Sequence, residues 1–224
     1  MIIQALNDYY NLLLEDPDVE DIPKPGYSVA KANFIATISK EGELLDITPL
    51  GDDKKDWKEV LVPEQKKRAG RNPPPYFMCE NCKFVFGWDF NKKGNKIKNE
   101  YYNSFKELHE EILSAVNNEK SIALLNFLRK WNLDKGLSNV VIKENIELLE
   151  NSTSCNIIFK LDCEAGYLHQ DSEILKAWEE YLSSREDNPK GQCLVTGENV
   201  TIAKIHPAIK GVRGAQSAGG AIVS

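Results

Sequence analysis

Two periodicities alternate along this chain, and their order restricts the fold more than any single motif. Residues 33–39 and 43–48 read as two strands around the turn Lys40-Glu41-Gly42. Residues 58–62 predict a third strand, giving the basic segment that follows a rigid base. From Tyr101 the period changes to that of a helix, with Phe105, Leu108, Ile112 and Val116 on one stripe. Ser121 is positioned to cap a second helix carrying Ile122, Leu125, Leu128 and Trp131 on one face, so this region predicts a helical hairpin.

The flanking segments repeat the theme. Ile2, Leu6, Tyr9, Tyr10, Leu13 and Leu14 form an opening amphipathic helix that closes before Pro17, and Pro23, Pro25 and Gly26 make a connector. Residues 76–86 are an apolar run readable as helix or buried strand, with helix favoured. Residues 140–149 predict a further helix, and 156–161 with 167–169 predict a hairpin around 162–166. Asp171 or Ser172 can cap a helix whose inward residues are Ile174, Leu175, Trp178, Tyr181 and Leu182. Residues 193–196 and 200–204 predict a last hairpin around 197–199. Strands in hairpins and helices in blocks define an α+β class: a mainly antiparallel sheet with packed amphipathic helices.

Charge is segregated. The formal net charge of the 224-residue chain is −6, yet thirteen Lys and Arg against six Asp and Glu lie between Lys54 and Lys106, leaving +7 there and −13 elsewhere. No acid follows Glu198, while Lys204, Lys210 and Arg213 do. Two basic segments on an acidic body can focus a field on a polyanion while the remainder limits unspecific adhesion. Residues 91–96 read as a solvated lysine loop. Residues 65–72 differ: Lys66, Lys67, Arg68 and Arg71 surround a glycine, and Pro73 to Pro75 then stiffen the exit. A stiff cationic loop ending in Asn72 suits a DNA groove, with the asparagine amide able to meet a base edge. The last twenty residues join Gly211, Gly214, Gly219 and Gly220, which permit close backbone approach, to Lys210, Arg213, Gln216 and Ser217.

Enzyme templates are absent. No phosphate-binding Gly-x-x-x-x-Gly-Lys-Ser/Thr loop, Gly-x-Ser-x-Gly elbow or His-Glu-x-x-His pair occurs, and His109, His169 and His206 are isolated. Cys79 and Cys82 have a zinc-knuckle spacing without a second Cys-x-x-Cys, so buried thiols and no metal or other cofactor are expected. Five cysteines, an odd number, fit a reducing compartment, and neither a signal peptide nor a membrane-spanning run is present, so the expected location is cytoplasmic. No catalysis is expected.

Several segments, taken in order, resemble the Csd family of CRISPR-associated proteins, the large subunit of the type I-C interference complex. They are residues 1–10, Pro25-Gly-Tyr-Ser28, the Val62-Pro to Lys-Arg68 run, Cys193-Leu-Val-Thr-Gly-Glu198 and His206-Pro-Ala-Ile-Lys-Gly-Val-Arg-Gly-Ala-Gln-Ser217. Pro75-Tyr-Phe-Met-Cys-Glu-Asn81 departs from the relatives' Pro-Asn-Phe-Leu stretch. The resemblance implies that residues 1–224 are the N-terminal domain of a longer subunit, with a sub-boundary near 150–155 and a helical C-terminal region beyond. It implies a non-catalytic subunit that reads the motif flanking the target in double-stranded DNA and helps open it. Its partners would be guide RNA, other subunits of the complex and a separate helicase-nuclease. Lys66, Lys67, Arg68 and Arg71 would hold phosphates, Asn72 would read a base, and Lys210, Arg213, Gln216 and Ser217 would form a second contact. The alternative is a scaffold module that contacts guide RNA or neighbouring subunits without reading the motif.

Overall fold

A computed structural model describes residues 2–19, 22–51, 57–68, 70, 72–90, 93–152, 154–185, 189–202 and 214. The chain divides into two units, Met1–Asp16 with Ser183–Ser224, and Pro17–Leu182. The smaller unit holds the opening helix α1 (Ile2–Glu15), in which Leu6 and Tyr9 stay exposed and Leu13 and Leu14 are half-buried.

The larger unit starts with β1 (Tyr27–Ala32), β2 (Phe34–Ile38), β3 (Leu44–Pro49) and β4 (Lys58–Pro63). β2 and β3 form the expected hairpin. Its turn needs glycine at position 42, where φ is +86° and a Cβ would lie 2.4 Å from the backbone nitrogen of Phe127. The third strand exists, but β4 pairs with β1 in a separate two-stranded ribbon rather than extending the β2–β3 sheet. Asn33 makes the transition between the two layers: its amide donates to the Asn156 carbonyl (2.8 Å) and its side-chain oxygen accepts from Asn156 N (3.0 Å) and Ser154 Oγ (2.7 Å).

Residues 76–86 become neither one helix nor one strand. They form a bend, the short β5 (Glu80–Asn81) and one helical turn, α2 (Cys82–Val85), capped by Asn81. A hairpin of β6 (Trp88–Asp89) and β7 (Lys96–Ile97) precedes the helical pair α3 (Asn99–Leu113) and α4 (Glu119–Lys130). The α4 cap is Asn118 rather than Ser121; the serine is the N3 partner that completes a reciprocal capping box. A 3₁₀ turn, Leu133–Ser138, follows. The helix expected over 140–149 is two, α5 (Val140–Glu144) and α6 (Ile146–Asn151). Asn145 breaks it by donating its side-chain amide to the Val141 carbonyl (3.0 Å), competing with the helical ladder.

The larger correction concerns β8 (Asn156–Leu161). It does not pair with 167–169, which instead form a 3₁₀ turn (Leu168–Gln170). β8 lies between β2, to which it is parallel, and β5, to which it is antiparallel, giving the order β3-β2-β8-β5. The uninterrupted apolar run Ile157-Ile158-Phe159 is the mark of a strand covered on both faces. On one face Ile157, Phe159 and Leu161 meet Phe105 of α3, Phe127 of α4 and Phe34 of β2; on the other Ile158 meets Ala30, Ala32, Val62 and Cys79 under the ribbon. The chain then turns into α7 (Ser172–Ser184), capped by Asp171 through the N–H groups of Glu173 (3.1 Å) and Ile174 (3.3 Å). In the smaller unit, β9 (Lys190–Gln192) and β10 (Asn199–Thr201) form the last hairpin, shifted so that Cys193 to Glu198 make the turn. The class is α+β with small, mostly antiparallel sheets.

Candidate nucleic-acid interface

The basic segment leaves β4 with its first residues fastened. Glu64 N donates to the Gly26 carbonyl (2.9 Å), Gln65 N to Ser28 Oγ (3.0 Å), and Gln65 Nε2 to the Cys79 carbonyl (2.8 Å). The other end of the loop comes back to the same place through Arg68. Its guanidinium donates to both carboxylate oxygens of Glu80 (Nη2 to Oε1, 3.2 Å) and to the Pro74 carbonyl (2.8 Å), and lies 3.6 Å from the centre of the Tyr76 ring. Glu80, only 2% exposed, also accepts from Tyr76 N (2.8 Å) and Asn81 N (2.7 Å), while Tyr76 Oη donates to the Lys66 carbonyl (2.6 Å). Arg68 is thus turned inward as the clasp of the loop neck. The planar fork and flat π-face of arginine suit it for simultaneous carboxylate and ring contact.

With the neck closed, Lys66, Lys67 and Asn72 are exposed. Lys66 is exposed and pairs only with neighbouring Glu64 (3.3 Å). Lys67 and Asn72 are exposed and make no hydrogen bond or ion pair among the described residues. Gly70 has φ +96° with open space around it, a conformation that suits a loop tip and disfavours residues with a Cβ. Arg71, Lys210, Arg213, Gln216 and Ser217 lie outside the described residues.

Sequence reasoning missed the support beneath the loop. Phe84 lies 5.0 Å from the Arg68 guanidinium and packs edge-on against Tyr101 (4.7 Å); Lys83 sits 5.4 Å and Lys98 5.9 Å from the Tyr101 ring. Cations and rings therefore alternate from Arg68 to Lys98. Deeper still, Met78, with φ +64°, donates its N–H to His109 Nε2 (3.2 Å), and His109 Nδ1 donates to the Phe105 carbonyl (2.8 Å). Complete burial lowers the His109 pKa to about 4, so the ring is neutral and its tautomer is set by these two bonds. The signal in the sequence was the acid Glu80 set in an apolar run, which needs a buried cation.

Cys79 and Cys82 are both buried free thiols. Burial first, and then the Glu80 carboxylate, pushes Cys79 up to about 12, so it stays protonated at neutral pH. Among the described residues no three His, Cys, Asp or Glu side chains cluster as metal ligands, and no helix is long and apolar enough to cross a membrane.

An α+β body that folds a cationic loop against its own sheet defines a small platform of fixed charge. Residues 6–224 match the family model described as CRISPR-associated protein (Cas_Csd1), and the chain belongs to that family, the large subunits of type I-C interference complexes. It is accordingly a subunit of a CRISPR (Cascade) complex and has the other components of that complex as partners. No curated protein matches the chain.

Proposed function

We propose that the loop after β4 contacts the duplex beside the target, with Lys66 and Lys67 on phosphates and Asn72 at a base edge. The observation that carries this reading is the Arg68–Glu80–Tyr76 clasp. It fixes the neck of a loop on which Lys67 and Asn72 are exposed and make no hydrogen bond or ion pair among the described residues, and Lys66 pairs with Glu64 alone. A loop held at both ends loses little entropy on meeting DNA, so each phosphate contact retains more of its free energy. In RNA-guided recognition base pairing reads most of the sequence, and a protein surface of a few side chains is enough for the flanking motif.

Arg68 then acts through the loop rather than on the DNA. Arg71 belongs to the same cationic set by sequence, and Lys210, Arg213, Gln216 and Ser217 supply a second contact that helps hold the opened duplex. The subunit itself is non-catalytic, and cutting belongs to a separate helicase-nuclease. The test is binding of the assembled complex to duplexes differing only in the flanking motif. The wild-type complex should discriminate among them, and Asn72→Ala should reduce that discrimination by about 1–3 kcal/mol while leaving binding to the poorest duplex unchanged. Equal wild-type affinities would reassign the loop to guide RNA or a neighbouring subunit.

A further inference from the structure

We propose that the outer edge of β4 is a strand-addition site, occupied by an extended peptide segment of a neighbouring subunit with one apolar side chain in the cavity beside His169. Among the described residues β4 pairs only with β1. The Glu64 N to Gly26 O bond marks the 26/64 pair as hydrogen-bonded, and the two-residue alternation of an antiparallel ladder makes 28/62 and 30/60 hydrogen-bonded as well. Lys31, one step out of phase, turns its carbonyl away from β4 to accept from Asn156 Nδ2 (2.8 Å), as that phase requires. Glu59 and Leu61 therefore direct their N–H and C=O groups to an edge where, among the described residues, no strand lies.

A cavity of about 360 Å³ lies beside β4, bounded by Glu59, Val60 and Leu61, by Tyr27 of β1, and by His169, Gln170 and Leu175. By the ladder register Glu59 and Leu61 share a face with Tyr27, whereas Val60 points to the opposite face and meets the cavity along the strand itself. His169 is 2% exposed, and its Nδ1 is buried with no hydrogen-bond partner among the described residues. Burial lowers its pKa to about 4, so the ring is neutral at neutral pH. The inward face of the ribbon, Ala30, Ala32 and Val62, is packed on Ile158, so the edge is held in place before any partner arrives. The devices that blunt an exposed edge, charged Lys58 and Glu59 at one end and Pro63 at the other, leave Val60 and Leu61 between them.

The chemistry of the edge selects the occupant. Alternating donors and acceptors at two-residue spacing match an extended polypeptide, whereas a phosphate backbone only accepts. Glu59 and the Glu179 carboxylate that takes the Tyr27 hydroxyl (2.9 Å) also disfavour a polyanion here. Membership in a multisubunit family supplies the source, a second protein of the complex.

Residue-resolved amide exchange, run without DNA on the isolated chain and on the reconstituted complex, tests this separately from motif reading. The Glu59 and Leu61 amides should slow by about tenfold or more on assembly, while Val60 and Val62 are slow in both states. Leu175→Trp, which fills the cavity, should lower incorporation into the complex with the chain's own thermal midpoint retained. Unchanged exchange on assembly would overturn the proposal. So would protection already present in the isolated chain, whether concentration-dependent, which would indicate a second copy, or not, which would indicate the chain's own backbone.

Discussion

At the residue scale, Arg68 and Lys67 differ in what they hold although one residue separates them. Removing Arg68 leaves the carboxylate of Glu80 buried without its cation, so Arg68→Ala should cost about 3–5 kcal/mol in denaturant unfolding of the DNA-free chain. Arg68→Lys should recover little of that loss, since an ammonium cannot bridge both carboxylate oxygens and the Pro74 carbonyl while lying on Tyr76. Full recovery by lysine would instead mark Arg68 as a simple point charge. The cysteines offer a second check. N–H groups of Thr196 and Val195 hold the half-exposed Cys193 thiol below its ordinary pKa, Asp162 holds the exposed Cys163 above it, and burial raises Cys79 and Cys155. Alkylation of the native chain at neutral pH should therefore proceed first at Cys193, then at Cys163, and slowest at the three buried thiols, Cys79, Cys82 and Cys155.

At the scale of elements, the β2–β3 turn is locked by α4. Gly42→Ala places a methyl carbon into the Asn126–Phe127 backbone and forces a left-handed φ on a residue with a Cβ. It should destabilise the chain by well over the ~1 kcal/mol expected for Gly70→Ala, which meets only the φ penalty; equal losses in thermal unfolding would remove α4 from the turn. The two buried imidazoles give the sheet and its helices a pH dependence. Their folded pKa values, about 4, lie below the ordinary 6.5, so the unfolded chain binds protons first as pH falls. Stability should be full above pH 6.5 and decline toward pH 4, by up to about 3 kcal/mol for each ring, and His109→Gln should flatten that decline. Local periodicity made the helical pair, the β2–β3 hairpin and α7 legible. It could not place β8, whose partners β2 and β5 lie more than a hundred and more than seventy positions away, and an apolar run has no face pattern to reveal its neighbours. The split at Asn145 was hidden because its side chain, not a proline or glycine, interrupts the ladder.

For the whole molecule, the charge map was visible from composition: a basic segment from Lys54 to Lys106 within an acidic chain. What composition could not show is that one of those cations is consumed internally. A row of equivalent-looking charges, Lys66, Lys67 and Arg68, separates on folding because the buried Glu80 twelve residues on takes the arginine and leaves the lysines exposed. The charge map located the segment. The fold distinguishes the strut, Arg68 held by Tyr76 and Glu80, from the exposed Lys66 and Lys67. The most direct measurement of this division is the salt dependence of duplex binding by the complex carrying Lys67→Ala. The slope of log affinity against log salt should fall by about one unit for every duplex, at an unchanged thermal midpoint, because one phosphate contact and its released counterion are lost. A slope equal to that of the wild type would contradict the placement of this loop on DNA.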